Sequence, residues 1–227
     1  MFGRRFSLYF WATFAVLLFG AAKLDLRPPW GVYVGMFFGC ALTAWLLIPE
    51  ALMPWWISSW RTGAWGEENT ARELRRLERA GWTVKHDVKG GDGPWNRDHV
   101  VAGPALYVLD TKNLSDSRVT VEGDALRVTR LEGADEDDGY LLDGSGVKKQ
   151  AYWVSRQLEA DLGFPVKAYP VLVVWGSFTG GPTWLGGLAV VHGRELVDWL
   201  HGRGTDLVRD DKRQAVGDWV RSLPSAS

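Results

Sequence analysis

Residues 98–113 read DHVVAGPALYVLDTKN. Two apolar runs flank Gly103-Pro104, and a tight break between short runs rich in valine and aromatics predicts a β-hairpin. Side chains alternate along a strand, so Asp110 and Lys112 share one face and Thr111 takes the other. The hairpin sets the first residue of one arm against the last residues of the other. Asp98 therefore comes within about 5 Å of Asp110, or onto a slightly longer diagonal. Two carboxylates that close repel unless positive charge lies between them. A hard divalent cation with oxygen ligands meets that need, and Lys112 adds further charge. The plainer alternative for Asp110 and Lys112 is a surface ion pair at a strand end.

On the N-terminal side, GEENTARELRRLERAGW (66–82) has helical periodicity and a natural stop at Gly81. Ala71, Leu74 and Leu77 mark its apolar face, and Glu67 falls within the inward arc while Glu68 lies to its side. An inward acid needs a partner, a metal or a task; the alternative is an acid in a frayed first turn, favoured by the helix dipole. TVKHDV (83–88) reads as a strand and KGGDGPWNR (89–97) as a loop. On the C-terminal side, RVTVEGDALRVTR (118–130) predicts a second hairpin turning at Gly123-Asp124, and the acidic segment 131–146 a solvated loop. VKKQAYWVSRQLEADLG (147–163) predicts a helix with Gln150 on its inward face near Val147, Trp153, Val154 and Leu158. KAYPVLVVWG (167–176) and GGLAVVHG (186–193) predict strands, and 194–202 and 210–223 helices. This order of elements predicts a mixed α/β domain with one central sheet flanked by helices, without internal repeats.

The first sixty residues differ in kind. FSLYFWATFAVLLFGAA (6–22) and PPWGVYVGMFFGCALTAWLLIP (28–49) carry no charge, and tryptophans 30, 45, 55, 56 and 60 crowd toward their ends. About 25 Å and about 33 Å of helix predict two transmembrane helices, near 6–22 and 29–49, within a membrane region 1–60 that precedes the domain at 61–227. Arg4 and Arg5 before the first run and Gly20-Ala21-Ala22 after it also fit a cleaved signal peptide. Either arrangement leaves 61–227 on the cytoplasmic side of the cell membrane. A formal charge of -1 provides no global field for a polyanion, and the single Cys40 allows no disulfide within the chain.

Gly66-Glu67, Asn96-x-Asp98-His99-Val100 with Gly103-Pro104, Val108-Leu109-Asp110-Thr111-Lys112 and Gln150-Ala151, in that order on helix, strand, strand and helix, resemble the nuclease-related (NERD) domain of the PD-(D/E)xK nuclease superfamily. The resemblance runs from about Gly66 to about Leu200. It implies a restriction-endonuclease-like α/β fold and metal-dependent hydrolysis of nucleic-acid phosphodiesters, with DNA placed ahead of RNA as substrate. It further implies that Asp98, Asp110 and the carbonyl of Thr111 hold Mg²⁺ or Mn²⁺, with Glu67 completing the shell or positioning water. Lys112 would orient or help deprotonate the attacking water, and Gln150 would contact phosphate or the metal shell. Arg97 replaces the superfamily's proline, and Val154 stands where some relatives carry an aromatic. The competing class is a non-catalytic, membrane-tethered module of the same fold that binds nucleic acid or a protein.

Other tempting residues read more plainly. His99 points away from Asp98 and is structural or at the surface, and His86, His192 and His201 lack zinc-ligand spacing with any cysteine. Trp175, Trp184, Trp199 and Trp219 have core spacing. Arg72, Arg75, Arg76 and Arg79 form a basic helix face, usually a solvated one.

Overall fold

The computed structural model describes residues 55–90, 96–131, 139–178, 181–203 and 208–226, with isolated positions between 31 and 42. Two compact units divide the chain, Met1–Ser59 and Trp60–Ser227. In the first, the described positions from Gly31 to Leu42 are helical, and the side chains of Tyr33, Phe37, Phe38 and Leu42 are exposed. The expected membrane helix at 6–22 and most of the one at 29–49 lie outside the described residues. Among the described residues no helix is long and apolar enough to cross a membrane.

The second unit is a mixed α/β domain, as its pattern of elements predicts. Helix α1 (Trp55–Arg79) starts earlier than its periodicity suggests and stops at Gly81, which takes a φ of 87°. Strands β1 (Thr83–Val88), β2 (Arg97–Ala102) and β3 (Leu106–Glu122) follow, then β4 (Ala125–Arg130) and β5 (Tyr140–Leu142). Helix α2 (Ser145–Leu162) leads to β6 (Ala168–Phe178), β7 (Thr183–Leu185) and β8 (Leu188–His192), and α3 (Leu196–Gly202) and α4 (Asp210–Ser222) close the domain. The sheet order is β1-β2-β3-β6-β8-β7, with β4 on β3 and β5 on β4.

Alternation along the strands sorts the core into two layers. Val100, Ala102, Leu106, Val108, Leu172, Val174 and Val190 meet Val147, Ala151, Val154 and Leu158 of α2 and the apolar side of α4. Val101, Tyr107, Leu109, Val171, Val173 and Val191 meet Leu74 and Leu77 of α1 and the apolar side of α3. Burying each such side chain contributes about 1.5–3 kcal/mol, which makes this two-sided apolar contact the main force on the fold.

Three elements depart from the sequence expectation. The strand ending at Lys112 and the arm beginning at Arg118 are one 17-residue strand, β3, because β6 pairs with both halves across a register shift between Leu114 and Arg118. The run Asn113–Ser117, polar except for Leu114, conceals that continuity. Gly176 makes it possible: at a φ of 145°, a Cβ there would lie 2.3 Å from the Leu114 carbonyl oxygen. Strand β5 occupies part of the expected acidic loop, since Tyr140–Leu142 pairs with β4; residues 132–138 of that loop lie outside the described residues. Strand β7 carries Trp184 at 42% exposure, so this tryptophan is not core, whereas Trp175 and Trp219 are buried.

Candidate active site at a fork in the sheet

One edge of β3 changes partner along its length. Strand β2 pairs with it as far as His99 opposite Leu109, and β4 takes over only at Arg130 opposite Ser117. Among the described residues, 110–116 have no strand partner on that edge, and the candidate site lies in this fork. Continuing the β2–β3 register would set Asp98 opposite Asp110, but there the side chain replaces the ladder. The Thr111 N–H donates to Asp98 Oδ2 at 2.6 Å. The hairpin thus brings the two aspartates together as the sequence predicts.

By alternation Asp98, Asp110 and Lys112 stand on the α2 side of the sheet. Lys112 Nζ lies 2.9 Å from one Asp110 carboxylate oxygen and donates to the other at 3.0 Å. The Lys112 side chain is 41% exposed and that of Asp110 17%, so the pair lines an opening rather than a sealed core. Burial pushes the Asp98 carboxyl up to about 7, and the neighbouring Asp110 and Glu67 charges push the same way against the Thr111 N–H and Lys112. Burial works against the Lys112 ammonium, yet the carboxylate of Asp110, with Asp98 and Glu67 behind it, holds its pKa above the ordinary lysine value. Lys112 is therefore a charged donor at neutral pH.

Thr111, between them, faces α1 and is buried. Its hydroxyl donates to Thr70 Oγ1 at 3.2 Å, and the Trp175 indole N–H donates to the same oxygen at 2.8 Å. Thr70 in turn donates to the Gly66 carbonyl at 3.0 Å. This network clamps the turn of α1 that carries Glu67 onto β3 and β6. The clamp needs Gly66, because a Cβ there would lie 3.0 Å from the Asn113 Cβ and 3.3 Å from the Thr111 methyl. Glu67 is half-buried, and its pKa is raised by burial and then by Asp87, with Lys112 opposing and Asp110 adding to the rise.

Gln150 sits at the margin of the buried face of α2 and reaches the start of β2, donating through Nε2 to the Asn96 carbonyl at 3.4 Å. Its Oε1 is buried and has no hydrogen-bond partner among the described residues. An orphaned acceptor suits a cation or a cation-bound water rather than a phosphate oxygen. Trp153, expected beside Gln150 on the inward face, is 63% exposed: it lies on the outer side of Gln150, while Val147, Ala151, Val154 and Leu158 fill the core face.

Among the described residues no three His, Cys, Asp or Glu side chains are grouped closely enough to hold one ion. The oxygen donors near the fork that are available to a hard cation are Asp98, Asp110, the Thr111 carbonyl and the orphaned Gln150 amide oxygen, and Mg²⁺ commonly takes one or two carboxylates and fills its shell with water and substrate oxygens.

One residue near the fork was not legible in the sequence. Asp87 has a φ of 48°, and its carboxylate acts on Glu67. It follows the register that places His86 opposite His99, which the unpatterned loop 89–97 conceals. Asn96, the first residue of the motif around Asp98, contributes its carbonyl to Gln150. His99 faces away from Asp98 as expected and is buried, 2.8 Å from His86 Nδ1 through its own Nδ1, with its pKa pushed down to about 3 by burial and by His86. The α1 arginines behave as a solvated face, with Arg72 on Glu68 and Arg76 on Glu73 and Asp198.

Residues 62–175, half of the chain, match the family described as "Nuclease-related domain". No curated protein and no solved structure matches the chain significantly.

Proposed function

The chain belongs to the nuclease-related domain family, and on that premise we propose that it hydrolyses nucleic-acid phosphodiester bonds with Mg²⁺ or Mn²⁺, at a restriction-endonuclease-like site in the β2–β3 fork. One observation carries the reading most: two aspartates meet beside a charged lysine at the fork, and burial, reinforced by the charge of Asp110, pushes the Asp98 carboxyl up to about 7. Asp98, Asp110, the Thr111 carbonyl and the Gln150 amide oxygen would hold the cation, with Glu67 at the outer side of its shell or on the attacking water. The cation, when bound, stabilises charge developing on the phosphoryl oxygens and lowers the pKa of a bound water. Lys112, a charged donor before a cation binds, would orient the water or substrate and stabilise negative charge. The Thr111–Thr70–Trp175 network keeps Glu67 in register with the aspartates.

Residues 1–60 provide the proposed membrane anchor, which would leave 61–227 on the cytoplasmic side. The uncharged runs 6–22 and 28–49 support this, as do the exposed rings of Tyr33, Phe37 and Phe38 on helical backbone. Protease protection in spheroplasts and in inverted vesicles tests the topology. Cleavage of 61–227 only after inversion is expected, and cleavage in intact spheroplasts contradicts it.

The activity itself is tested with the full chain in detergent, offered labelled single- and double-stranded DNA and RNA with Mg²⁺, Mn²⁺ or chelator. Cation-dependent cutting is expected, with DNA cut ahead of RNA. A folded protein that cuts none of these substrates in either metal would contradict the nuclease reading and leave the non-catalytic binding module in its place.

A further inference from the structure

We propose that the exposed Tyr152–Trp153 pair of α2 is a stacking platform for the bases of a single-stranded polynucleotide, whose backbone lies along Lys149 and Arg156 into the β2–β3 fork. The inference rests on the fork being a phosphodiester site and adds the substrate class that it takes.

Both rings are 63% exposed, and they meet edge to face at a centroid distance of 6.4 Å and an interplanar angle of 72°. Each therefore offers a face of its own. Exposing two large rings side by side is costly for a solvated helix, and nothing in the packing of α2 requires it, because Val147, Ala151, Val154 and Leu158 already fill the buried side. Their position matters as much as their exposure. Trp153 is three residues beyond Gln150, about 4.5 Å along the helix axis and about 60° round it, so it is the next outward side chain from the one that reaches the fork. Lys149 and Arg156 lie about 40–60° farther round the same side, and both are exposed.

A nucleic-acid strand is recognised by this combination of cationic side chains and aromatic faces. The overall charge of -1 gives no general attraction, so binding has to be local, and the exposed Arg156–Glu159 pair is weak enough for a phosphate to displace. A duplex hides its base faces and can use only the charges. A bilayer-surface helix needs a broad apolar face, whereas the two rings are bounded by Lys149, Arg156 and Gln157, all exposed.

The test is fluorescence anisotropy of a labelled oligothymidylate and of a blunt duplex of equal length, with the full chain in detergent and chelator present so that nothing is cut. Single strand is expected to bind more tightly than duplex, with Trp153→Ala weakening it about tenfold, Trp153→Phe restoring most of the loss, and duplex binding unchanged. With metal added, Trp153→Ala should raise KM for single strand more than it lowers kcat. Wild-type oligothymidylate affinity in the Tyr152→Ala/Trp153→Ala double variant overturns the proposal. So does loss of binding to anionic phosphatidylserine vesicles without loss of oligonucleotide binding. Tryptophan-dependent binding without any cleavage would keep the platform and remove the nuclease reading, and cleavage indifferent to both rings would do the reverse.

Discussion

Residues 110, 111 and 112 are consecutive, yet they belong to two different environments. Asp110 and Lys112 stand on the α2 side as a charged pair open to solvent, while Thr111 on the α1 side is buried in a network of hydroxyls and an indole. The open side also holds a carboxyl in an unfavourable place, since burial and the neighbouring Asp110 push Asp98 up to about 7. The closed side is satisfied: Thr70 Oγ1 donates once and accepts twice. The fastened α1 side thus holds in place the strand whose α2 side carries the candidate site. Substitutions on the open face should cost activity and not stability, and those on the closed face should cost stability first.

The largest expected effect is on the open face. Asp110→Asn should lower the cleavage rate at least about 100-fold, measured at saturating Mg²⁺, because one of the two proposed anionic ligands is lost. Its thermal midpoint should stay near that of wild type; a collapse of the midpoint would place Asp110 in the structural half of the comparison.

Next comes the closed face. Thr70→Val keeps the shape and removes the hydroxyl, stranding the Trp175 N–H and the Thr111 hydroxyl in the core. A loss of about 1–3 kcal/mol in urea unfolding is expected. Unchanged stability would mean that the network only decorates the packing of α1.

Asp98 joins the two faces through pH. Its folded pKa, about 7, lies above the unfolded value near 3.8, so the folded chain binds more protons between those limits and loses stability as pH rises across them. In chelator, Asp98→Asn should flatten that decline and unfold at a higher temperature than wild type at pH 8. A cation competes with the same proton, so activity should climb between about pH 6 and 8, as a pH–rate profile at fixed Mg²⁺ would show. A flat profile over that range separates Asp98 from the reacting centre.

The smallest effect belongs to Gly66. Gly66→Ala must move α1 from β3 by a few tenths of an ångström, since the new methyl meets the Asn113 Cβ at 3.0 Å. About a threefold loss of rate, through the displacement of Glu67, should accompany a stability change of about 1 kcal/mol or less. A rate equal to wild type would detach Glu67 from the reaction.

Much of this was legible because it follows from local rules. Alternation put Asp110 with Lys112, a tight turn put Asp98 with them, and the apolar spacing of 147–163 gave a helix with Gln150 turned inward. What escaped depends on partners distant in sequence. Thr70, Thr111 and Trp175 are ordinary residues until the sheet closes, and 105 positions separate the two ends of one hydrogen bond. The unity of β3 escaped because the run 113–117, polar except for Leu114, obeys no period, and β6 rather than its own pattern keeps it extended. Trp153 was misplaced because it lies one helical step beyond the buried arc, where an angle from periodicity alone cannot tell a margin from a core.

The most direct measurement pairs two readouts on one variant, Lys112→Ala: cleavage rate with Mg²⁺ or Mn²⁺, and thermal midpoint in the same buffer. Cleavage should fall to the chelator background while the midpoint stays within a few degrees of wild type. Cleavage at the wild-type rate, or a rate that falls only as the protein unfolds, would contradict a catalytic centre in the fork.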